Sequence, residues 1–279
     1  MRPLLGTFVE AGASGPGAAA AVEAAFRAVA DAQARWSFHA ADSELSRLNR
    51  HPQQRVPVCR ATLGLLRISK LLMKRSDGAF DCTVGATLVA HGALPDHGGP
   101  DPLPRGNADD IELGDAWAIL QRPVRLTLDG IAKGFAVDLG VRAMRRLGAA
   151  SGWINAGGDL RAFGGASIPV QRREADGSFT PLGRLWQAAI ATSRVGSFGD
   201  VDSVGTAADT SQERFPACIV PPAARSSAPG LWTVMAHYAW LADALTKVAA
   251  NTPERTRRAL IERLGGCLVQ PELAQAQAA

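Results

Sequence analysis

Two short motifs in the middle of the chain carry the residue types that a phosphate-binding site needs. Residues 128–138 read Leu-Asp-Gly-Ile-Ala-Lys-Gly-Phe-Ala-Val-Asp, and residues 155–159 read Asn-Ala-Gly-Gly-Asp. The first motif joins an alternating stretch at 124–128 to a segment with helical spacing, so it predicts a strand, a glycine-bearing turn and a helix start. The unpaired N–H groups of a helix start attract phosphate, and Lys133 adds a full positive charge there. The paired glycines of the second motif let backbone approach a ligand or another strand.

The elements predicted around these motifs mix helices and strands without a regular βαβ alternation, which favours an α+β fold. Strands are predicted at 3–10, 186–191, 231–236 and 267–269, and helices at 18–36, 62–74, 134–147 and 241–250. Thr252 is predicted to cap a further helix whose first position is Pro253. Residues 193–230 are polar and rich in Gly, Ser and Pro, and this stretch is long for a structureless loop in a compact domain. We expect it either to be partly mobile or to contain short strands.

Composition bounds the class of protein. The 279 residues are 47% hydrophobic, enough for a substantial core, and we expect one domain over 1–270 with a frayed tail at 271–279. The net charge of +4, from 30 basic and 26 acidic residues, is too small to indicate nucleic-acid binding. No apolar stretch approaches the ~20 residues needed to cross a bilayer, and the sequence shows no signal peptide. The prediction is a cytoplasmic protein, unless a misassigned start codon hides a leader.

Six ordered segments resemble motifs of the ApbE family, the Mg-dependent FAD:protein FMN transferases. Two are the motifs described above, which are similar to the family's Gly-Ile-Ala-Lys-Gly-Tyr-Ala-Val-Asp and Asn-x-Gly-Gly-Asp. The other similar segments are Leu-Gly-Thr at 5–7, Asp-Ser-Glu-Leu-Ser-Arg-Leu-Asn at 42–49, Gly-Ala-Phe-Asp-Cys-Thr-Val-Gly at 78–85 and, near the C-terminus, Ala-Asp-Ala-Leu at 242–245. The resemblance implies a T-fold-like α+β architecture that holds a flavin nucleotide in a cleft. It also implies an enzyme that moves FMN from FAD to a Ser or Thr hydroxyl of an acceptor protein and releases AMP.

The resemblance implies a Mg²⁺ site built from Asp243, the backbone carbonyl of Gly130 and a threonine hydroxyl. The family's threonine lies four residues after the aspartate, but this chain has Lys247 there and Thr246 one residue earlier. Either Thr246 supplies the oxygen from a shifted position, or Lys247 partly replaces the ion, because an ammonium group neutralises phosphate but cannot bind a metal. The alternative for Asp243 is a carboxylate that simply caps its helix. Asp243 and Lys133 are the predicted catalytic residues.

The positions that match the family's flavin-nucleotide contacts are also implied by the resemblance. They are Leu5, Phe38, Ala79, Phe80, Asp81, Thr127, Lys133, Asp159 and Ser193. Phe80 could equally be plain core, Asp159 could hold the turn after Gly158, and Phe38 is a candidate aromatic lid. Relatives carry an acid at the place of Thr127. Asp129 could supply that carboxylate instead, although its side chain is expected on the other face of the strand.

The largest departure from the family pattern lies at 215–222. If Pro221 aligns with the proline of the family's His-Ile-Ile-Asp-Pro, Ala217 replaces the histidine and Val220 the aspartate. That histidine is a natural group to activate the acceptor hydroxyl. Three alternatives therefore stay open beside the transferase: an FAD pyrophosphatase that yields FMN and AMP, a non-catalytic flavin-binding accessory protein, and an interaction protein without a ligand.

Overall fold

The computed structural model describes residues 1–174, 176–195, 219–222 and 226–269. Its strands are β1 Arg2–Leu4, β2 Thr7–Ser14, β3 Val56–Pro57, β4 Ile111–Leu113, β5 Trp117–Leu120, β6 Ser151–Ala156, β7 Asp159–Phe163, β8 Ser167–Arg173, β9 Phe179–Trp186, β10 Ala189–Val195, β11 Gly230–Ala236 and β12 Gly266–Leu268. Its α-helices are α1 Ala18–Trp36, α2 Glu44–Arg50, α3 Arg60–Arg75, α4 Gly85–Ala90, α5 Ala132–Arg146, α6 Ala239–Asn251 and α7 Glu254–Arg263, with one 3₁₀ turn at Ala108–Asp110. The α+β prediction is confirmed.

A seven-stranded antiparallel sheet, in the order β1-β2-β6-β7-β10-β11-β12, forms the centre of the fold. Helix α1 packs on β2, α5 packs on β6 and β7, and α6 packs on β10 and β11. The three helices also pack side by side, α1 against α5 and α5 against α6. The main core therefore lies between this helix layer and the sheet.

The helices of this layer bury one face each because their apolar residues recur at helical spacing. In α1 the buried side chains include Phe26, Val29 and Trp36. Trp36 packs edge-on against Phe135 of α5, with ring centroids 5.6 Å apart, and its indole N–H donates to Thr62 Oγ1 at 2.8 Å. Helix α6 is buried nearly all round, which places its polar side chains inside the protein and makes their partners informative.

Two small sheets complete the fold. One is three-stranded, in the order β3-β5-β4, and the other is the β8–β9 hairpin with an irregularity at Val170 and Gln171. Neither sheet contributes a strand to the seven-stranded sheet. Among the described residues, no helix is both long and apolar enough to span a membrane.

The predicted strand at 3–10 is wrong, because the segment is a hairpin. Strands β1 and β2 pair with each other, and Leu5 and Gly6 form the turn with φ values of 56° and 66°. A leucine at positive φ is strained, and its backbone N–H is held by Gln33 Oε1 at 2.5 Å. The usual Asn-Gly or Asp-Gly signal for such a turn is absent from this segment, so the sequence pattern reads as one continuous strand.

The predicted strand at 124–128 is also wrong. The segment forms only one isolated bridge, between Arg125 and Val84, and it is otherwise tied down by single hydrogen bonds. Thr127 N donates to Cys82 O at 2.8 Å, and Gly85 N donates to Arg125 O at 2.9 Å. The alternation reflects a buried extended segment that lies beside residues 82–85, not a member of a sheet.

Other predictions need smaller corrections. The strand predicted at 186–191 spans the end of β9 and the start of β10, separated by a turn in which Gln187 has a φ of 47°. Thr252 does not cap α7. It ends α6, and its hydroxyl donates back to Val248 O at 2.6 Å, while Pro253 precedes α7. Most of 193–230 and the predicted tail at 271–279 lie outside the described residues.

Candidate functional site

The starts of α5 and α6 meet at Gly134. The backbone N–H of Gly134 donates to Asp243 Oδ2 at 3.1 Å. A Cβ atom at position 134 would lie 2.3 Å from the carbonyl oxygen of Ala239, so only glycine allows this approach. The Gly130–Gly134 bend is therefore in direct contact with the carboxylate of Asp243. Gly134 and Asp243 are 109 residues apart in the sequence.

Asp159 reaches the same place through the second glycine motif. Strands β6 and β7 are joined by Gly157 and Gly158, whose φ values of 62° and 105° favour glycine at both positions. A Cβ at Gly157 would lie 2.5 Å from Thr7 Oγ1, so the Leu-Gly-Thr segment packs directly on this turn. The Asp159 side chain, 5% exposed, then lies with its Oδ2 3.7 Å from Lys133 Nζ.

Five residues make up what we call the charged cluster: Asp129, Lys133, Asp159, Asp243 and Lys247. Burial, followed by the nearby negative charge of Asp243, raises the pKa of Asp159 to about 6. Asp159 Oδ2 is buried without a hydrogen-bond partner among the described residues, and the 3.7 Å ion pair with Lys133 is too long to supply one. The cluster thus holds a carboxylate oxygen whose hydrogen-bonding capacity is unused.

Lys133 is the more exposed of the two lysines in the cluster, with 39% of its side chain exposed against 17% for Lys247. The negative charge of Asp159 raises the pKa of Lys133, and burial opposes this only in part. The lysine lies in the first turn of α5, where the positive end of the helix dipole disfavours a cation. The carboxylates of Asp159, Asp243 and Asp129 compensate for this unfavourable position.

Asp129 lies at the edge of the charged cluster. Thr127 Oγ1 donates to Asp129 Oδ2 at 3.1 Å, so the hydroxyl and the carboxylate meet, contrary to the expectation that they lie on different faces. The expectation was wrong in itself, because side chains two positions apart in an extended segment lie on the same face. Asp129 is exposed as a residue, yet the protein around its carboxyl group withdraws that group from bulk water and raises its pKa.

Lys247 occupies the space between Asp243 and Gly130. Its Nζ forms an ion pair with Asp243 Oδ1, one helical turn away, and also donates to the Asp243 backbone oxygen at 3.2 Å. A Cβ at Gly130 would lie 3.5 Å from both Lys247 Cε and Phe80 Cε2. The Lys247 side chain therefore lies against the glycine whose carbonyl was expected to bind a metal.

The residues present do not fit the Mg²⁺ site that the resemblance implies. Asp243 Oδ1 is in contact with an ammonium group, and Oδ2 accepts from Gly134. Thr246 is fully buried, and its hydroxyl donates to Asp243 O at 2.6 Å and contacts Ser193 Oγ at 2.7 Å.

Residues 79–81, predicted to form a wall of the nucleotide site, lie beside the cluster. Ala79 and Phe80 are buried, and Ala79 O accepts from Asn251 Nδ2 at 2.9 Å. Asp81 faces a different set of partners: Oδ1 accepts from the backbone and hydroxyl of Thr83, and Oδ2 lies 3.3 Å from Arg105 Nε. Asp81 is therefore committed to protein contacts in this structure.

The remaining predicted contacts are more distant from the charges. Leu5 lies in the β1–β2 turn and is partly buried against the core. Phe38 is buried, and its ring lies 6.2 Å from that of His97, so little of its surface is available for a lid. Val220 is partly buried and accepts from Asn251 Nδ2 at 3.3 Å, while Ala217 lies outside the described residues.

Sequence reasoning missed two positioning residues. Asn49, in the 42–49 motif, brackets Leu126: its Nδ2 donates to Leu126 O at 2.8 Å and its Oδ1 accepts from Leu126 N at 2.7 Å. This pair fixes the segment that leads into Asp129. Asp138 accepts from the N–H groups of Ala239 and Trp240 and thereby holds the start of α6. The 42–49 motif could have indicated a role for Asn49. The role of Asp138 becomes visible only from the packing of α5 on α6.

Solved structures share this fold. The flavin transferase ApbE from Vibrio cholerae matches with a TM-score of 0.72 at 22% identity, over 94% of this chain and 89% of that one. The ApbE protein from Thermotoga maritima also gives 0.72 at 22% identity, over 95% and 91%. The apo flavinyl transferase ApbE from Pseudomonas stutzeri gives 0.68 at 20% identity, over 92% and 88%. At these identities the likeness establishes the fold.

One curated relative is a FAD:protein FMN transferase of Haemophilus influenzae, 27% identical over 159 residues. The match covers 48% of this chain and 43% of the relative, so it spans less than half of the curated protein. The model of the ApbE family matches residues 5–269, which include every site residue described above. The chain therefore belongs to the ApbE family.

Proposed function

We propose that this protein is a FAD:protein FMN transferase, which moves FMN from FAD to a threonine or serine hydroxyl of an acceptor protein and releases AMP. The observation that carries the proposal is the convergence at the start of α5, where Lys133 pairs with Asp159 and Gly134 N donates to Asp243, which in turn pairs with Lys247. Membership of the ApbE family and the name of the Haemophilus influenzae relative support the same reaction. A cytoplasmic location stays a prediction.

Binding of FAD would depend on the two ammonium groups of the charged cluster. Lys133 reaches solvent at the start of α5, and Lys247 lies one turn from Asp243 on α6. The pyrophosphate of FAD carries two negative charges, and fixed cations at a helix start stabilise such charges without reorganisation during the reaction. We assign both lysines to the pyrophosphate and Phe80 to an apolar wall beside it.

The proposed reaction is a phosphoryl transfer. The acceptor hydroxyl oxygen attacks the phosphorus of the FMN half, the bond from that phosphorus to the bridging oxygen breaks, and AMP leaves with the bridging oxygen. The proton of the hydroxyl must go to a base, and Asp129 is the exposed carboxylate with a raised pKa at this site. Lys133 and Lys247 would stabilise the charge that develops on the leaving AMP.

A magnesium ion, which the family resemblance implies, would need Lys247 to move off Asp243 before it could bind there. The proposed steps therefore rest on residues of this chain alone. The nucleotide contacts proposed for Leu5, Phe38, Ala79, Asp81, Thr127 and Ser193 would require their present side-chain partners to admit a ligand.

The test is incubation of the pure protein with FAD and a protein domain that bears a threonine flavinylation site. Covalent flavin on the acceptor is measured by in-gel fluorescence, and AMP by chromatography. We expect equal amounts of both products from the wild type and neither from Asp243→Asn, which preserves side-chain volume. Circular dichroism checks that the variant is folded.

Other outcomes distinguish the alternatives. AMP release without an acceptor would identify an FAD pyrophosphatase. Tight FAD binding with no products, at any metal concentration, would identify an accessory flavin-binding protein. No binding of FAD would reject all three proposals, and equal flavin transfer by Asp243→Asn would reject the proposal that Asp243 holds Lys247 in place for the pyrophosphate.

A further inference from the structure

The most distinctive feature of the charged cluster is the ammonium group of Lys247. We infer that this group is the built-in cation of the site and that the protein binds no divalent metal ion at Asp243. The consequence of this inference for catalysis rests on the proposed function. Its test does not, because it measures metal binding. It identifies Lys247 as a residue that determines which cation the site uses.

The contacts of Lys247 are those of a bound cation. Its Nζ touches the side chain and the backbone carbonyl of Asp243, and its methylene groups pack near Gly130. The side chain is 17% exposed and that of Asp243 is 1% exposed, so little water separates the two charges. Two of the three ammonium N–H groups are used by Asp243 within the described part of the chain, which leaves one for a phosphate oxygen of a bound nucleotide.

Other oxygen donors are arranged as expected for a site without a metal. The hydroxyl of Thr246 is directed into the protein, where it binds Asp243 O and Ser193 Oγ. A divalent ion at Asp243 Oδ1 would have to displace the Lys247 ammonium or sit beside it, and two adjacent like charges repel strongly in a partly buried site. Asp243 Oδ2 is already hydrogen-bonded to the Gly134 N–H.

The consequence is a site whose cation is covalently part of the chain. Lysine acts as a point charge with freely rotating donors, so it can follow a phosphate oxygen without fixed coordination geometry. If the protein transfers FMN, its activity would not fall when divalent ions are chelated.

The experiment measures binding of Mn²⁺, a probe for divalent ions, to the FAD-free full chain by electron paramagnetic resonance. Five proteins are compared: the wild type, Asp243→Asn, Lys247→Thr, Lys247→Arg and the double variant Asp243→Asn/Lys247→Thr. Threonine restores the residue that the family pattern has at this position, and arginine keeps the positive charge. If Lys247→Thr does not fold, Lys247→Gln replaces it, with folding judged by circular dichroism.

We expect no stoichiometric Mn²⁺ binding by the wild type or Lys247→Arg. Lys247→Thr should gain one site per chain, with an affinity at least about tenfold above that of the wild type, and the double variant should lose it again. One Mn²⁺ bound by the wild type and lost in Asp243→Asn would overturn the inference. Failure of the folded Lys247→Thr variant, or of Lys247→Gln in its place, to bind Mn²⁺ would also overturn it, because Lys247 would then not occupy a cation site.

This readout is independent of the proposed function. A protein that transfers no FMN but shows the expected Mn²⁺ pattern would keep the inference and lose the function. A protein that transfers FMN only with a divalent ion bound at Asp243 would keep the function and lose the inference.

Discussion

Helices α5 and α6 each place one carboxylate at the start of the other helix, and the two carboxylates differ in their surroundings. Asp138 extends from α5 to the start of α6, where it accepts from Ala239 N at 3.1 Å and Trp240 N at 3.0 Å. Asp243 extends from α6 to the start of α5, where it accepts from Gly134 N. Each helix thus satisfies donors at the first turn of the other, and the same chemistry is used twice.

The surroundings of the two carboxylates separate their roles. Asp138 forms an ion pair with Arg161, both side chains are under 10% exposed, and the arginine lies over the Tyr238 ring at 4.7 Å. Burial raises the pKa of Asp138, and Arg161 opposes that shift. Asp243 instead pairs with Lys247 and lies near Lys133, whose side chain is 39% exposed. The first contact is closed and joins two helices, whereas the second lies beside a side chain that reaches solvent.

The largest effect is expected when the closed contact is broken. Asp138→Ala leaves Arg161 buried without its counter-ion and two helix N–H groups without an acceptor, which should lower the free energy of unfolding by about 3–5 kcal/mol. Asp243→Ala should cost less, about 1–2 kcal/mol, because it removes one backbone hydrogen bond and Lys247 can turn to solvent. Urea denaturation measures both losses. The control is Asp31→Ala at an exposed position, which should change the free energy of unfolding by no more than about 0.5 kcal/mol. Equal losses at 138 and 243 would show that the two contacts do not differ.

The next effect concerns the point where the two helices touch. Gly134→Ala places a Cβ 2.3 Å from the Ala239 carbonyl oxygen and 2.7 Å from Trp240 N, and backbone atoms cannot move aside as a side chain can. We expect a loss of about 3 kcal/mol and weakening of both carboxylate contacts. Gly165→Ala is the matched control, since its Cβ would meet nothing within 4 Å. A stable Gly134→Ala protein would show that the helices are packed less closely than described here.

A smaller, pH-dependent effect on stability is expected at Asp159 in the charged cluster. Its pKa is raised to about 6, so between pH values of about 4 and 6 the folded protein binds more protons than the unfolded chain. The free energy of unfolding therefore falls as pH rises through this window. Asp159→Asn removes this pH dependence. Its free energy of unfolding, relative to that of the wild type, should therefore rise by on the order of 2 kcal/mol from pH 4 to pH 6. The loss of the Lys133 ion pair partly offsets this gain. Thermal unfolding at a series of pH values measures this, and parallel curves for both proteins would contradict it.

Much of the fold could be predicted from the sequence because the helices show their burial in their spacing. Helix α1 has the predicted bounds, and α3, α5 and α6 differ by a few residues at their ends. Two of the errors fall where a single residue changes the direction of the chain against its propensity. Leu5 and Gln187 both adopt positive φ, a conformation that nothing in their residue type indicates.

The candidate site was predictable in part. The resemblance predicted that Asp243 lies beside Gly130, and it left Asp159 either holding its turn or near the ligand. The structure brings Lys133, Asp159 and Asp243 within one cluster. Side-chain pairing was predictable only in part. The pair of Asp243 and Lys247 is an i,i+4 contact within α6, which helical spacing allows. The contacts of Asp138 with the start of α6 depend on how α5 crosses α6, which Gly134 permits but the sequence pattern does not specify.

The central claim is that the charged cluster binds the phosphates of FAD. A comparison of the binding of FAD with that of riboflavin, which lacks phosphate, tests it most directly. Equilibrium Kd values are measured by flavin fluorescence for the wild type, for Lys133→Met and for the exposed control Lys74→Met. A charge-assisted hydrogen bond to phosphate predicts that Lys133→Met weakens FAD binding at least about tenfold, with riboflavin binding unchanged and the control like the wild type. An unchanged Kd for FAD, or an equal loss of riboflavin binding, would contradict the account.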